Sequence, residues 1–161
     1  DTNWKNSKKA GITTGAYHFM SFESPGVDQA KNYIKTVPKE KDSLPPVVDF
    51  EYYGKFEKNH PSQETVDKIL KPLLKKLKDH YGKDPIIYVN SNMYKKYISG
   101  KYKNRIWLAD LKAPKKLPDG RSWEFLQYSF NSKLTKYAGG IPHLDLNVFR
   151  GSRFSFAAKY L

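Results

Sequence analysis

Cysteine is absent from the 161-residue chain. That excludes disulfides, thiolate metal sites and a cysteine nucleophile. The absence suits the cytoplasm, and equally proteins secreted by organisms that do not rely on disulfides. Long apolar runs are missing too: none approaches the roughly 20 residues of a membrane span. Acidic residues are scarce, 16 against 29 lysines and arginines, so the formal charge is +13. Histidines are few and form no His-x-x-x-His pair, which argues against zinc and leaves no metal expected. There is no Gly-rich phosphate loop, Gly-x-Ser-x-Gly elbow or Walker sequence. The first residue is Asp1 and not methionine, which reads as the start of a fragment or a mature product.

What is present is basic and aromatic. The cations are scattered in short pairs (Lys8-Lys9, Lys75-Lys76, Lys95-Lys96, Lys115-Lys116). Such pairs more often make a solvated face than a specific nucleic-acid site. The net charge still favours anionic partners, with anionic wall polymers as candidates ahead of nucleic acid. Aromatic residues reach 15%, and tyrosine-rich clefts suit sugar rings.

The chain alternates between strand-like and helix-like stretches. Residues 3–10 read as a helix with Trp4 inward, then 12–19 as a strand ending in Ala16-Tyr17-His18-Phe19. Ser24 is the expected cap of a helix with Pro25 at its first position. Ser62 is the expected cap of a long helix closed by Gly82, with Pro72 inside its apolar pattern as a kink or break. Strands are expected at 85–90, 106–110, 123–129 and 144–149, with a short helix at about 91–98 and a turn at 138–142. No linker or repeat divides residues 1–161, which read as a single domain. Strands alternating with helices imply βαβ units and a parallel sheet. Strand ends rich in polar and aromatic residues are how a β/α barrel builds a site at its C-terminal face.

The stretch Leu44-Pro45-Pro46-Val47-Val48-Asp49-Phe50-Glu51 is central. A β-branched run ends in two carboxylates. Side chains alternate along a strand, so Asp49 and Glu51 share one face and Phe50 takes the other. Their Cβ atoms then stand about 6–7 Å apart. Two carboxylates at that distance can act on one glycosidic bond, and the spacing straddles the inverting and retaining classes. The plainer reading is a strand end that turns polar on entering a loop. Burial and the Asp49 charge would each raise the Glu51 pKa. Asp145 and Asn147 share one face of the last strand, where Asp145 reads as an acid of the site or as an acceptor for turn backbone. Tyr17, Tyr88, Trp107 and Tyr128 are candidates for stacking on sugar rings. Asn90, Asp110 and Gln127 are candidates for bonding sugar hydroxyls. His18 reads as a cleft-wall histidine, with a base or metal ligand as the alternative.

Together the pieces resemble glycoside hydrolase family 25, the Chalaropsis-type lysozymes. The resemblance is carried by Lys8-Lys9-Ala10-Gly11-Ile12, Gly15-Ala16-Tyr17-His18-Phe19 and Gln29-Ala30, then by Leu44 to Glu51 and Pro85 to Asn90. Trp107-Leu108-Ala109, Trp123 to Ser129 and Asp145-Leu146-Asn147 complete it. It implies an α/β fold, an irregular TIM-like β/α barrel, without metal or organic cofactor. It implies cleavage of the β-1,4 bond between N-acetylmuramic acid and N-acetylglucosamine in peptidoglycan, in an extracellular or wall setting, by a secreted or phage-released protein. Glu51 would then correspond to the general acid. Asp49 would orient the substrate's acetamido group if catalysis is substrate-assisted, and Asp145 matches an acid on the last strand. Members of that family begin with a strand bearing another active-site Asp, then a helix and a second strand. Nothing in this chain matches those pieces, so the expectation is a barrel lacking its first two strands. A missing segment or another chain would cover the strand edges so exposed. The competing classes are a non-catalytic glycan- or nucleic-acid-binding domain and a metal-dependent polysaccharide deacetylase.

If the +13 charge steers the protein to anionic wall polymers, wall lysis falls steeply as salt rises. A lysis rate indifferent to salt at low ionic strength would remove the steering.

Overall fold

The computed structural model describes residues 2–133 and 144–161. The turn expected at 138–142 and His143 lie outside these. Six strands form one sheet in the order β1 to β6. They are β1 Tyr17–Phe19, β2 Val47–Asp49, β3 Ile86–Asn90, β4 Ile106–Ala109, β5 Phe125–Ser132 and β6 Leu144–Phe149. β1 to β5 run parallel, and β6 runs antiparallel to β5. The β5–β6 register shifts between Gln127 and Ser129 and again between Ser129 and Ser132. The helices are α1 Thr2–Lys9, α2 Gly26–Thr36, α3 Gln63–Tyr81, α4 Ser91–Met93 and α5 Arg153–Tyr160, with a π-turn at Tyr94–Ile98. The sheet curls as half of a β/α barrel, the class expected from the sequence.

Local chemistry sets the element ends. The Ser62 hydroxyl accepts the Thr65 N–H at the start of α3, and Gly82 closes it at φ 68°. That φ suits glycine, which has no Cβ to clash. Pro72 does not break α3. Its lost backbone bond is offset by Leu70, Leu73, Leu74 and Leu77, all buried on one side of the helix. α2 differs from expectation. Pro25, not Ser24, stands at the N-cap, and it makes no side-chain cap. The Gln29 amide ties the preceding loop down instead, donating at 2.8 Å to the Ser21 and Ser24 carbonyls and accepting the Ser21 N–H. The strand expected at 12–19 contracts to Tyr17–Phe19, although the Thr14 and Ala16 carbonyls still accept the Leu44 and Val47 N–H groups. Trp4 is half-buried and donates its indole N–H to Glu40. α5, capped by Ser152, has no counterpart among the expected elements.

Period-two alternation sorts the strands into two faces. Val48, Phe50, Ile87, Val89, Leu108 and Leu126 are buried against α2, α3 and the π-turn, and form the core. The other face carries a continuous register row: Phe19, Asp49, Tyr88, Trp107, Phe125 and Phe149. One step toward the parallel strands' carboxyl ends runs a second row, Asn90, Ala109, Gln127 and Asn147.

The tightest constraint on the core is at Gly26. A Cβ there would stand 1.8 Å from the Ile69 carbonyl oxygen. Gly26→Ala must therefore push α2 off α3, at a cost of about 1–3 kcal/mol or more. Chemical denaturation reads this directly, and an unchanged midpoint would show that the helices are not in such contact.

Candidate active site

β2 delivers the central acids. Val48 and Phe50 are fully buried on the helix side, so the pleat turns Asp49 and Glu51 to the open side. There Asp49 pairs in register with Tyr88 of β3, and Tyr88 with Trp107 of β4. The Phe50 N–H donates to the Tyr88 carbonyl at 2.9 Å, which carries the strand alignment one residue past β2. β6 brings Asp145 and Asn147 from the opposite direction. These side chains, with Tyr17, Val47 and Gln127, line one cleft of about 290 Å³.

The cleft is acidic inside a basic protein. Burial pushes the Asp49 carboxyl up to about 7, and the Glu51 charge adds to it. Glu51 is also raised, first by burial and then by the Asp145 charge. Tyr88 is held well above the usual phenol range by burial and by the charges of Glu51, Asp49 and Asp145. Three carboxyls thus act on one phenol. Asp49 Oδ1 is buried and, among the described residues, meets no hydrogen-bond donor. Trp107 donates its indole N–H to Asn147 Oδ1 at 2.8 Å. Its ring meets Tyr88 edge-on, with centroids 5.7 Å apart. The cleft therefore offers one carboxyl pushed up to about 7, a second raised in the same direction, an aromatic wall, and a buried acceptor awaiting a donor.

Of the residues singled out from sequence, Tyr17, Asp49, Glu51, Tyr88, Trp107, Gln127 and Asp145 meet in this cleft. His18 does not. It lies on the far side of the sheet, 2.8 Å from Gln29 Oε1 and edge-on to Tyr33. Alternation from Tyr17 puts it there, so it does not line this cleft. Tyr128 does not line the cleft either; it follows the inward Gln127 in β5 and is exposed. Asn90 and Asp110 line a second, wider depression. There Asn90 caps α4 by accepting the Met93 N–H, and Asp110 accepts the Lys112 N–H and the Ser91 hydroxyl. The sequence reading left Asn147 off the candidate site. Its place two residues after Asp145 was the available signal.

Acids and aromatics at the carboxyl edge of a partial β/α barrel are the layout of a glycoside hydrolase domain. The particular family follows from comparison: residues 1–136 match Glycosyl hydrolases family 25, and the chain belongs to it. A family 25 glycosyl hydrolase from Bacillus anthracis is 40% identical and superposes with a TM-score of 0.92, over 99% of this chain and 74% of that one. A muramidase from Trichobolus zukalii shares the fold at 24% identity and a TM-score of 0.81, over 99% of this chain and 78% of that one. Escherichia coli YegX, an uncharacterized protein, is 31% identical over 152 residues, 93% of this chain. The chain spans 53% of that relative's length.

The Asp49 pKa has a stability consequence. At low pH the group is protonated whether the chain is folded or unfolded. As pH rises from the ordinary 3.8 toward about 7, only the unfolded chain releases the proton, so stability falls across that window and stays lowered above it. Asp49→Asn removes the penalty. The variant should gain on the native protein at about pH 8 relative to about pH 3.5. Urea midpoints at both pH values check this; an equal difference at both would mean that Asp49 ionises freely in the fold.

Proposed function

We propose that this domain is the catalytic part of a peptidoglycan hydrolase, a lysozyme-type muramidase. It cleaves the β-1,4 bond between N-acetylmuramic acid and N-acetylglucosamine. The observation that carries this reading is the convergence of Asp49, Glu51 and Asp145 in one aromatic-walled cleft, in a chain of family 25. Glu51 is the general acid: burial and the Asp145 charge both raise its pKa, the direction a proton donor to the leaving oxygen needs. Asp49 assists. An acetamido N–H entering the cleft supplies the donor that buried Oδ1 lacks, and the same bond favours the ionised form. The ionised carboxylate then steadies the acetamido group as it turns its oxygen on the anomeric carbon. Asp145 sets the field around Glu51 and raises its pKa. Tyr17, Tyr88 and Trp107 hold the ring, and Gln127 and Asn147 bond its substituents.

The substrate places the protein at the bacterial wall, extracellular or released there by a phage. Anionic wall polymers are its electrostatic partners. β1 is an edge strand, and Tyr17 and Phe19 on it stand exposed. A further strand, from a preceding segment or from another chain, would pair with that edge and complete the barrel. The deacetylase alternative calls for a histidine at the cleft; among the described residues none lines it, and His18 is engaged with Gln29 on the other side of the sheet. Binding without catalysis is the remaining competitor.

Release of reducing sugar from purified peptidoglycan tests the reading, for this chain, for the chain extended upstream, and for its Glu51→Gln variant. The extended chain should cut, and Glu51→Gln should lower the rate by about 10²–10⁴-fold. A folded extended chain that releases nothing would reduce the reading to a glycan-binding domain.

A further inference from the structure

We propose that the depression beside the cleft receives the carboxylate-bearing peptide substituent of a muramyl residue, with Lys96 and Lys112 as its counter-charges and the Tyr52–His60 stack as its shelf. The proposal rests on the muramidase reading and goes beyond it by naming what a second site recognises.

The position is right for a substituent of a sugar held in the cleft. The depression is formed at the carboxyl ends of β3 and β4. Asn90 and Ala109 pair there, two residues beyond the Tyr88–Trp107 pair of the cleft. Tyr52 directly follows Glu51 in the chain. The volume is about 820 Å³, against about 290 Å³ for the cleft. That is more room than one further sugar ring requires.

The shelf is fixed from behind. The Tyr52 and His60 rings stack with centroids 4.2 Å apart and planes 3° from parallel. The Tyr52 hydroxyl donates to Tyr97 Oη at 2.9 Å, and Tyr97, itself buried, donates to the Pro61 carbonyl at 2.8 Å. A stacked pair so anchored loses little entropy when a flat group lies on it. Phe130, exposed, adds an apolar surface.

The charges select the occupant. Asp110 is the one acid among the described lining residues, and its oxygens already accept from Lys112 N–H and from the Ser91 hydroxyl. Lys96 and Lys112 line the depression, and among the described residues neither ammonium pairs with a carboxylate. Lys96 Nζ lies 3.2 Å from His60 Nδ1, which holds it at the rim of the shelf. Sugar hydroxyls and acetamides are neutral and leave two ammoniums unanswered. Stem peptides end in and carry carboxylates, and answer both.

The test uses the chain extended upstream, with Glu51→Gln to prevent turnover, and its Lys96→Ala/Lys112→Ala derivative. Calorimetric titration compares an N-acetylmuramyl tetrapeptide with the same compound whose carboxylates are amidated. The parent should bind the free acid about 3- to 10-fold more tightly, and the double variant should bind both forms alike. No preference in the parent, or a preference that survives the double variant, overturns the proposal. Reducing-sugar release by the Glu51-containing chain separates the two levels of failure. Hydrolysis without carboxylate preference overturns only the second site; neither hydrolysis nor binding overturns the muramidase reading as well.

Discussion

Everything at the cleft depends on the pleat of β2. Val48 and Phe50 are locked into the core beneath α2 and α3, and their neighbours have no choice but the other face. A slip of one residue would bury two carboxylates among leucines and expose two apolar side chains. The hydrophobic term therefore fixes the register, and the register fixes the acids. The contact of α2 on α3 at Gly26 is part of the same lock, since it lets the helices close over the strand.

That lock works against the acids it positions. The same packing that aims Asp49 also removes its water, and its pKa rises to about 7. The acids then raise one another through charge, Glu51 acting on Asp49 and Asp145 on Glu51. Part of the folding free energy is spent on the burial that raises both carboxyls. The chain as a whole carries a net charge of +13, yet the titratable lining of the cleft is three acids and two phenols.

Much of this was legible in the sequence, because it rests on local rules. Asp49-Phe50-Glu51 declares its two faces by alternation alone, and Asp145 with Asn147 does the same. The Ser62 cap, the Gly82 stop and the apolar stripe of α3 are all contained within the helix they define. Failures fell where local signals compete or where distant parts decide. His18 was drawn toward the cleft by its place at a strand end, yet Gln29, eleven residues on, holds it behind the sheet. Tyr128 is aromatic and near Gln127, but the pleat sends it outward. Ser24 is a good capping residue beside Pro25, yet the cap falls on Pro25, and Gln29 reaches back to hold the Ser24 carbonyl in the loop. The direction of β6 could not be read, since antiparallel pairing with β5 depends on tertiary context and not on composition.

The irregular β5–β6 pair carries a further implication. Its register slips by one residue at two places, between Gln127 and Ser129 and between Ser129 and Ser132. Each slip re-aims the partner strand without disturbing the parallel strands. Asp145 sits on that adjustable strand, whereas Asp49 and Glu51 are tied to the helical core. Single insertions or deletions in β5 would change the spacing between the acids, and with it the bond geometry served, at little cost to the rest of the fold.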